Sequence, residues 1–222
     1  MARLDQPESD TRSLSSITWV ANTDCETFTF QFTTDEGAPA TTPPSVIVDI
    51  LHTGAILRVD LGLAEAAVVQ QLVETGFVRS LYVVRSPQGN LFVDLHLARA
   101  AAARIATSSS PASLVIEMEP SLAQLREVPT IGSSVVVLAP ARGEISTYPI
   151  RVTGYSRIEG GVVAVELRQG SVVVDSASAE ATDWEGAWGW FETEIAGPPG
   201  PVELLVGDLD SGRGVSLNVT GE

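Results

Sequence analysis

The sequence contains no lysine, one cysteine and two histidines, and these shortages exclude several kinds of chemistry. Because Cys25 has no second cysteine to join, an intramolecular disulfide is impossible. His52 and His96 offer too few imidazoles for a typical zinc site, and the Cys-x-x-Cys and His-Glu-x-x-His spacings are absent. The Gly-x-Ser-x-Gly elbow of serine hydrolases is missing too. We therefore predict a protein that is not an enzyme and that uses no metal ion and no cofactor.

Positive charge is also scarce. The 13 basic side chains are all arginine and stand against 28 acidic ones, which gives a net charge of −15. Such a surface repels nucleic acids and anionic lipids, so we expect neither as a partner. Hydrolysis by a pair of carboxylates stays open as an alternative, because acidic residues are abundant, but no spacing selects a pair.

Long apolar runs are missing at the N-terminus and along the rest of the chain. A signal peptide needs an apolar region of about 7–15 residues, and a membrane-spanning helix needs about 20. We therefore expect no membrane insertion of this chain. A leader that is absent from it would leave the same sequence, so the compartment stays open at this point.

Period-two alternation of apolar and polar residues is the dominant pattern, and it predicts an all-β fold. In the first half, Phe28, Phe30 and Phe32 share one face of a strand. The turn at 52–54 joins two runs into a hairpin. The predicted strands of this half are 28–32, 46–51, 55–61, 81–83, 91–97, 104–107 and 114–118.

One segment of the first half departs from this period. Between residues 63 and 77 the apolar side chains have helical spacing, at Ala66, Val69, Leu72, Val73 and Phe77. A glycine, Gly76, stands where a helix would end. We therefore predict one amphipathic helix within a β-sandwich-like N-terminal module.

A second β pattern begins after a polar segment that contains Pro120 and Pro129. We place a linker at 121–131, a first domain at 14–120 and a second at 132–222. The second domain has seven candidate strands, at 135–138, 150–155, 162–168, 171–176, 188–195, 202–206 and 215–219. Seven short strands at this spacing are typical of an immunoglobulin-like β-sandwich.

The first domain carries three related phrases. They are Ser-Val-Ile-Val-Asp-Ile-Leu at 45–51, Asn-Leu-Phe-Val-Asp-Leu-His at 90–96 and Ser-Pro-Ala-Ser-Leu-Val-Ile-Glu at 110–117. Over residues 14–120 this arrangement resembles the AMIN domain, the amidase N-terminal module. Glu117 stands where that family has aspartate. The resemblance implies attachment to peptidoglycan or another cell-wall glycan.

The second domain resembles the immunoglobulin-like domain of bacterial spore-germination proteins. The phrases that carry this resemblance are Leu-Ala-Pro at 138–140, Pro-Ile-Arg-Val-Thr-Gly at 149–154, Val-Ala-Val-Glu-Leu-Arg at 163–168 and Trp-Gly-Trp-Phe at 188–191. Together the two resemblances imply a non-catalytic, extracytoplasmic protein of the bacterial envelope. The alternative is a module that binds only other proteins, in an envelope, sporulation or germination assembly.

Candidate binding residues lie in both domains. Trp184 and Trp190 stand among acidic residues, and Trp190 shares a strand face with Glu192 and Glu194, whereas Trp188 is expected in the core. An exposed tryptophan can stack on a sugar or fill a pocket of a protein partner.

In the first domain Tyr82, Arg85, Arg79 and Arg58 are the candidates, since arginines can bind the carboxylates of peptide stems. His96 is expected to be exposed or partly covered, and His52 lies in a turn. Asp208 and Asp210 leave open either a calcium site or a solvated turn, and the spacing favours the turn.

Overall fold

The part of the chain that the structure describes contains twenty strands and no helix. The structure is a computed structural model that describes residues 1–4, 9–51 and 55–222. None of these ranges forms a helix that could span a membrane. The predicted all-β fold class is therefore confirmed. The chain divides into two compact units, Met1–Arg126 and Glu127–Glu222, which we call the N-terminal unit and the C-terminal unit.

The N-terminal unit contains strands of two sheets, and its described strand pairs are antiparallel except for the short β6, which runs parallel to β2. One has the strand order β1-β4-β5-β9-β8, with β7 beside β8, and the other has the order β10-β11-β3-β2-β6. The strands are β1 (Ala2–Leu4), β2 (Ser13–Ala21), β3 (Glu26–Thr33), β4 (Val46–Leu51), β5 (Ile56–Leu63), β6 (Glu65–Ala66), β7 (Gln70–Leu72), β8 (Val78–Arg85), β9 (Leu91–Leu97), β10 (Ala101–Ser108) and β11 (Ser113–Pro120).

The predicted alternation of apolar and polar residues correctly identifies core residues of this unit. Phe28, Phe30 and Phe32 are buried on one face of β3. β4 pairs with β5 from Ile47 opposite Asp60 to Leu51 opposite Ile56, so the predicted pairing of these runs is confirmed. The turn assigned to 52–54, with His52, lies outside the described residues.

The predicted helix between residues 63 and 77 is wrong. This segment forms β6 and β7 instead, and its backbone donors bind neighbouring strands rather than the carbonyl four residues earlier. Ala67 N–H donates to the carbonyl of Leu14 on β2, and Val73 N–H donates to that of Arg79 on β8. The segment thus pairs with one sheet at its start and the other at its end. Strand pairing therefore overrides the helical spacing of the apolar residues in this segment.

The C-terminal unit is a β-sandwich of two sheets. Their strand orders are β18-β15-β13-β12 and β14-β20-β19-β16-β17. The strands are β12 (Thr130–Ile131), β13 (Val135–Ala139), β14 (Ile145–Ser146), β15 (Ile150–Ser156), β16 (Val162–Gln169), β17 (Val172–Glu180), β18 (Trp188–Ile195), β19 (Gly200–Asp208) and β20 (Arg213–Gly221). All seven strands predicted for this half are present.

The core of this unit forms between the two sheets. Val152 and Phe191 of one sheet and Val163, Leu204 and Leu217 of the other belong to a single buried cluster. β15 and β18 are antiparallel neighbours, and Ile150 opposite Ile195 fixes their register. Because successive side chains of a strand point to opposite faces, the residues between these core positions point away from the core.

Candidate functional site

A groove in the C-terminal unit is the best candidate site among the described residues. It encloses about 580 Å³, a volume within the range of ligand-binding clefts. It lies beside β15 and β18 and is bounded by the connection from β13 to β15. The lining residues are Ala139, Pro140, Glu144, Ile145, Ser146, Thr147, Pro149, Arg151, Thr153 and Trp190.

Trp190 reaches the groove because of strand alternation on β18. Phe191 and Ile195 are buried in the core, whereas Glu192 and Glu194 are exposed and Trp190 is half-buried. The prediction that Trp190 shares the face of the two glutamates is therefore confirmed. Antiparallel pairing then brings the outward residues of β15 into the groove, because Thr153 lies opposite Glu192.

Arg151 and Glu192 form an ion pair at the groove. The guanidinium donates to both carboxylate oxygens, with Nε at 2.8 Å from Oε1 and Nη2 at 2.7 Å from Oε2. This hydrogen bond, and then the charge of Glu192, raise the pKa of Arg151, which stays protonated. Exposed pairs of this kind add little to stability, so the arginine is free to exchange its partner for a ligand at small cost.

The rest of the groove combines polar and apolar residues in about equal measure. Pro140, Pro149 and Ile145 supply apolar lining, and the Ile145 side chain is 63% exposed. The Glu144 carboxylate accepts a 2.6 Å hydrogen bond from Ala141 N–H, so it shapes the connecting segment. A groove that combines an indole, apolar residues and an arginine can hold an amphipathic group.

The backbone of β14 contributes to the same groove. Thr220 N–H donates to the Glu144 carbonyl and Glu222 N–H donates to the Ser146 carbonyl, which fixes β14 beside β20. In a parallel ladder the residue between such acceptors directs its own N–H and C=O to the other side. Ile145 is that residue, so its peptide groups point away from β20.

Trp184 lies in the loop before β18 and not in the groove. Its ring packs against the turn at Gly161, where an added Cβ would be 3.0 Å from the indole. Asp183 organises the loop, because its Oδ1 accepts the N–H groups of Trp184, Glu185 and Gly186 at 2.7–3.0 Å. The structure therefore does not bring the two candidate tryptophans into one site.

Trp188 is buried but belongs to a different environment from Phe191. Its ring meets that of Tyr155 edge to face, with centroids 6.0 Å apart. The sequence predicted Trp188 in the core of the sandwich. The side chain is buried, at 1% exposure, but it is not part of the central buried cluster, so its predicted place in that core is wrong. It lies on the strand face opposite the central cluster, because it differs from Phe191 by an odd number of positions.

In the N-terminal unit, Arg58 and Tyr82 lie on either side of the same carboxylate. Both are register partners of Asp94, which is fully buried on β9. Arg58 donates from Nε and Nη2 to the two oxygens of Asp94, both at 2.7 Å, and its guanidinium lies 3.9 Å from the centroid of the Phe92 ring. This arginine therefore satisfies a buried charge within its own sheet.

The expectation of an exposed or partly covered His96 is wrong. His96 is 2% exposed, and its ring centroid is 4.9 Å from that of Tyr82. Burial raises the pKa of the Tyr82 phenol. Ser80 and Asp94 are buried on the same face, so this face of the sheet is covered even though its residues are polar.

Arg85 and Arg79, the other candidates, lie at the ends of β8. The Arg85 guanidinium donates to the carbonyls of Ala64 and Gly89, at 3.1 and 2.9 Å, and thereby ties the β8–β9 turn to the preceding loop. Arg79 is exposed and lies at the irregularity in β8 where the register shifts. The four candidates of this unit do not converge on one surface.

The described residues contain no group of three or more histidine, cysteine, aspartate or glutamate side chains arranged for a metal ion. Asp208 accepts a hydrogen bond from the Ser211 hydroxyl and another, of 3.3 Å, from the Ser211 backbone. These contacts belong to the β19–β20 turn.

Sequence reasoning found Trp190 but missed Arg151, Pro140 and Pro149. Arg151 lies on the outward face of a predicted strand, and Pro140 and Pro149 lie just outside predicted strands. These positions are the sequence signal that could have identified them. Their convergence depends on the β15–β18 register and on the route of the connection past β14. Neither can be read from one strand at a time.

Comparison with known proteins bears on the C-terminal unit. No curated protein matches the chain. Residues 134–213 match a family model, the immunoglobulin-like domain of bacterial spore germination. The matched range includes β13 to β19 and every residue that lines the groove. The C-terminal unit is therefore similar to a spore-germination immunoglobulin-like domain, which is a non-enzymatic type of domain.

Proposed function

We propose that this protein is a non-catalytic, extracytoplasmic binding protein of the bacterial envelope that recognises a protein partner through the groove beside Trp190. The observation that carries the proposal is that one groove contains a half-buried indole, the apolar residues Pro140, Ile145 and Pro149, and an arginine whose ion pair is exposed. Tryptophan and arginine are the residue types that contribute most to protein interfaces. The germination-domain match supports the compartment.

A second candidate function is attachment to the cell wall. The AMIN resemblance of residues 14–120 supports it, although the family match lies outside that range. Within the groove, an indole face beside the Arg151–Glu192 pair would also suit a sugar ring, because the ring stacks while its hydroxyls bond the charged groups. Peptidoglycan and other wall glycans therefore remain proposed ligands.

Photo-crosslinking in the producing cells tests the protein-partner proposal. A benzoylphenylalanine would replace Ile145, which lines the groove, and in a matched control it would replace Val162, which is 53% exposed and lies outside the groove. We expect a discrete crosslinked protein from position 145 and none from position 162. The same product from both positions would contradict the proposal.

Co-sedimentation separates the two candidates. Purified peptidoglycan sacculi would be mixed with the full chain and with Trp190→Ala at moderate salt. Wall attachment through the groove predicts that the wild-type chain sediments and that Trp190→Ala stays in the supernatant. If both sediment equally, any wall binding lies elsewhere, and if neither sediments the protein-partner function stands alone.

A further inference from the structure

Among the described residues, the strand β10 ends its sheet and pairs regularly along its whole length. It pairs with β11 from Ala101 opposite Pro120 to Ser108 opposite Ser113, with no shift of register over eight residues. It is the terminal strand of the order β10-β11-β3-β2-β6. Its second edge therefore presents a row of peptide N–H and C=O groups to any strand that aligns with it.

This edge has few of the features that usually block strand addition. Proteins protect edges with bulges, prolines, charges or short length. β17, the other long strand that ends a sheet, has a register shift in its pairing with β16. β10 has the sequence Ala-Ala-Ala-Arg-Ile-Ala-Thr-Ser, with no proline and with Arg104 as its one charged residue. Four alanines keep the approach sterically open.

The core is also incomplete along β10. Leu114, Ile116 and Met118, the inward residues of the neighbouring β11, are fully buried. Their register partners on β10 point the same way, yet Ile105 and Ala103 are only partly buried. An additional strand beyond β10 would cover these side chains with its own inward residues. Apolar area removed from water would then add to the backbone hydrogen bonds.

We infer that β10 accepts an extended segment of another protein as a sixth strand of this sheet. The inward positions of that segment are apolar, because they continue the core beside Ala103 and Ile105. Arg104 forms an ion pair with Glu119 of β11 that is long, at 3.7 Å, and exposed, so it costs little for the guanidinium to bind a second carboxylate. The outward position of the segment opposite Arg104 is therefore acidic, because directly opposed unlike charges stabilise a strand pair. This surface lies in the N-terminal unit, so the inference does not rest on the groove.

A second copy of the chain fits this edge poorly. Antiparallel pairing of two β10 strands near their centres would bring two Arg104 side chains together, and like charges opposite each other destabilise a pair. Two molecules that each carry a net charge of −15 also repel one another. Charge therefore favours a different protein as the source of the strand.

The probe is a labelled nine-residue peptide that alternates valine and threonine, with glutamate at the central outward position and a Gly-Ser tail. Its binding to the full chain would be followed by fluorescence anisotropy, beside an otherwise identical lysine peptide. We expect the glutamate peptide to bind more tightly to the wild type, and Arg104→Glu to reverse the preference by about 3- to 10-fold.

Arg126→Glu is the matched control, because it makes the same change of net charge at an exposed residue outside the strands and should leave the preference unchanged. Two further glutamate peptides, methylated at alternate backbone nitrogens in the two possible sets, test the hydrogen bonds. One set should abolish binding and the other should preserve it. The inference is overturned if no peptide binds, if both methylated peptides bind equally, or if Arg104→Glu acts like Arg126→Glu.

Discussion

At the scale of single residues, the C-terminal sandwich depends on a glycine that lets an aromatic ring enter the core. Gly154 lies opposite Phe191 on the neighbouring strand. A Cβ at this position would be 2.0 Å from the Val136 carbonyl oxygen and 2.9 Å from the Phe191 ring. Backbone on one side and a buried ring on the other leave no room for adjustment.

We expect Gly154→Ala to lower the free energy of unfolding by about 3 kcal/mol, because overpacking must displace a strand. Urea denaturation measures the change. Gly170→Asn serves as the control, since its φ of +63° is one that asparagine tolerates and no atom lies within 4 Å. That control should cost under about 1 kcal/mol, and an equal loss in both variants would contradict the packing argument.

Asp10 is the residue whose protonation most directly affects local structure. Its carboxylate accepts the N–H groups of Thr41 and Thr42 and the Thr41 hydroxyl, at 2.8–3.1 Å. Hydrogen bonds from the Thr42 and Thr41 backbone lower its pKa from 3.8 to about 2. Because the pKa of Asp10 is lower in the folded state, the ionised carboxylate stabilises the fold at pH values above the unfolded-state pKa of 3.8. This stabilisation is lost as the pH falls through the folded-state pKa of about 2.

The expected result is that wild type is more stable than Asp10→Asn at pH 6 and that the difference disappears between pH 4 and pH 2. Thermal unfolding of the two proteins across this range measures it, and an NMR titration of the Asp10 carboxyl gives the pKa directly. A difference that persists unchanged at pH 2 would contradict this origin.

At the scale of secondary-structure elements, the sequence predicted strands far better than it predicted their surroundings. Alternation identified the Phe28–Phe32 strand face and all seven strands of the C-terminal sandwich, because burial of one face imposes period two. It failed between residues 63 and 77, where backbone pairing with β2 and β8 overrides the helical spacing of the apolar residues. It also failed for His96, since nothing in one strand reveals that its polar face is covered.

The buried ion pair between β5 and β9 gives a prediction at this scale. Arg58→Met would leave the fully buried Asp94 without its cation and should cost about 3–5 kcal/mol. The double variant Arg58→Met with Asp94→Leu should recover most of that loss. Arg151→Met is the matched control, because its pair with Glu192 is exposed and should contribute under about 1 kcal/mol. Urea denaturation measures the free energy of unfolding of each variant. Equal losses for Arg58→Met and Arg151→Met would show that burial does not determine how much an ion pair contributes.

At the scale of the whole molecule, the chain divides into two compact units, Met1–Arg126 and Glu127–Glu222. The C-terminal unit has its own buried cluster, drawn from both of its sheets. We therefore predict that residues 127–222 expressed alone unfold in one cooperative transition, as followed by circular dichroism during heating. A gradual loss of signal without a transition would contradict the division. The candidate site itself could be predicted only in part, because Trp190 is visible in the sequence while its neighbours depend on strand register.

Crosslinking from position 145 in the presence and absence of the indole tests the central claim, that the groove beside Trp190 binds a partner. The benzoylphenylalanine substitution at Ile145 would be combined with Trp190→Ala, in chains shown by circular dichroism to be folded. We expect the yield of the crosslinked protein to fall at least about tenfold when the indole is removed, because a central interface tryptophan contributes about 2 kcal/mol or more. An unchanged yield of the same crosslinked protein would contradict it.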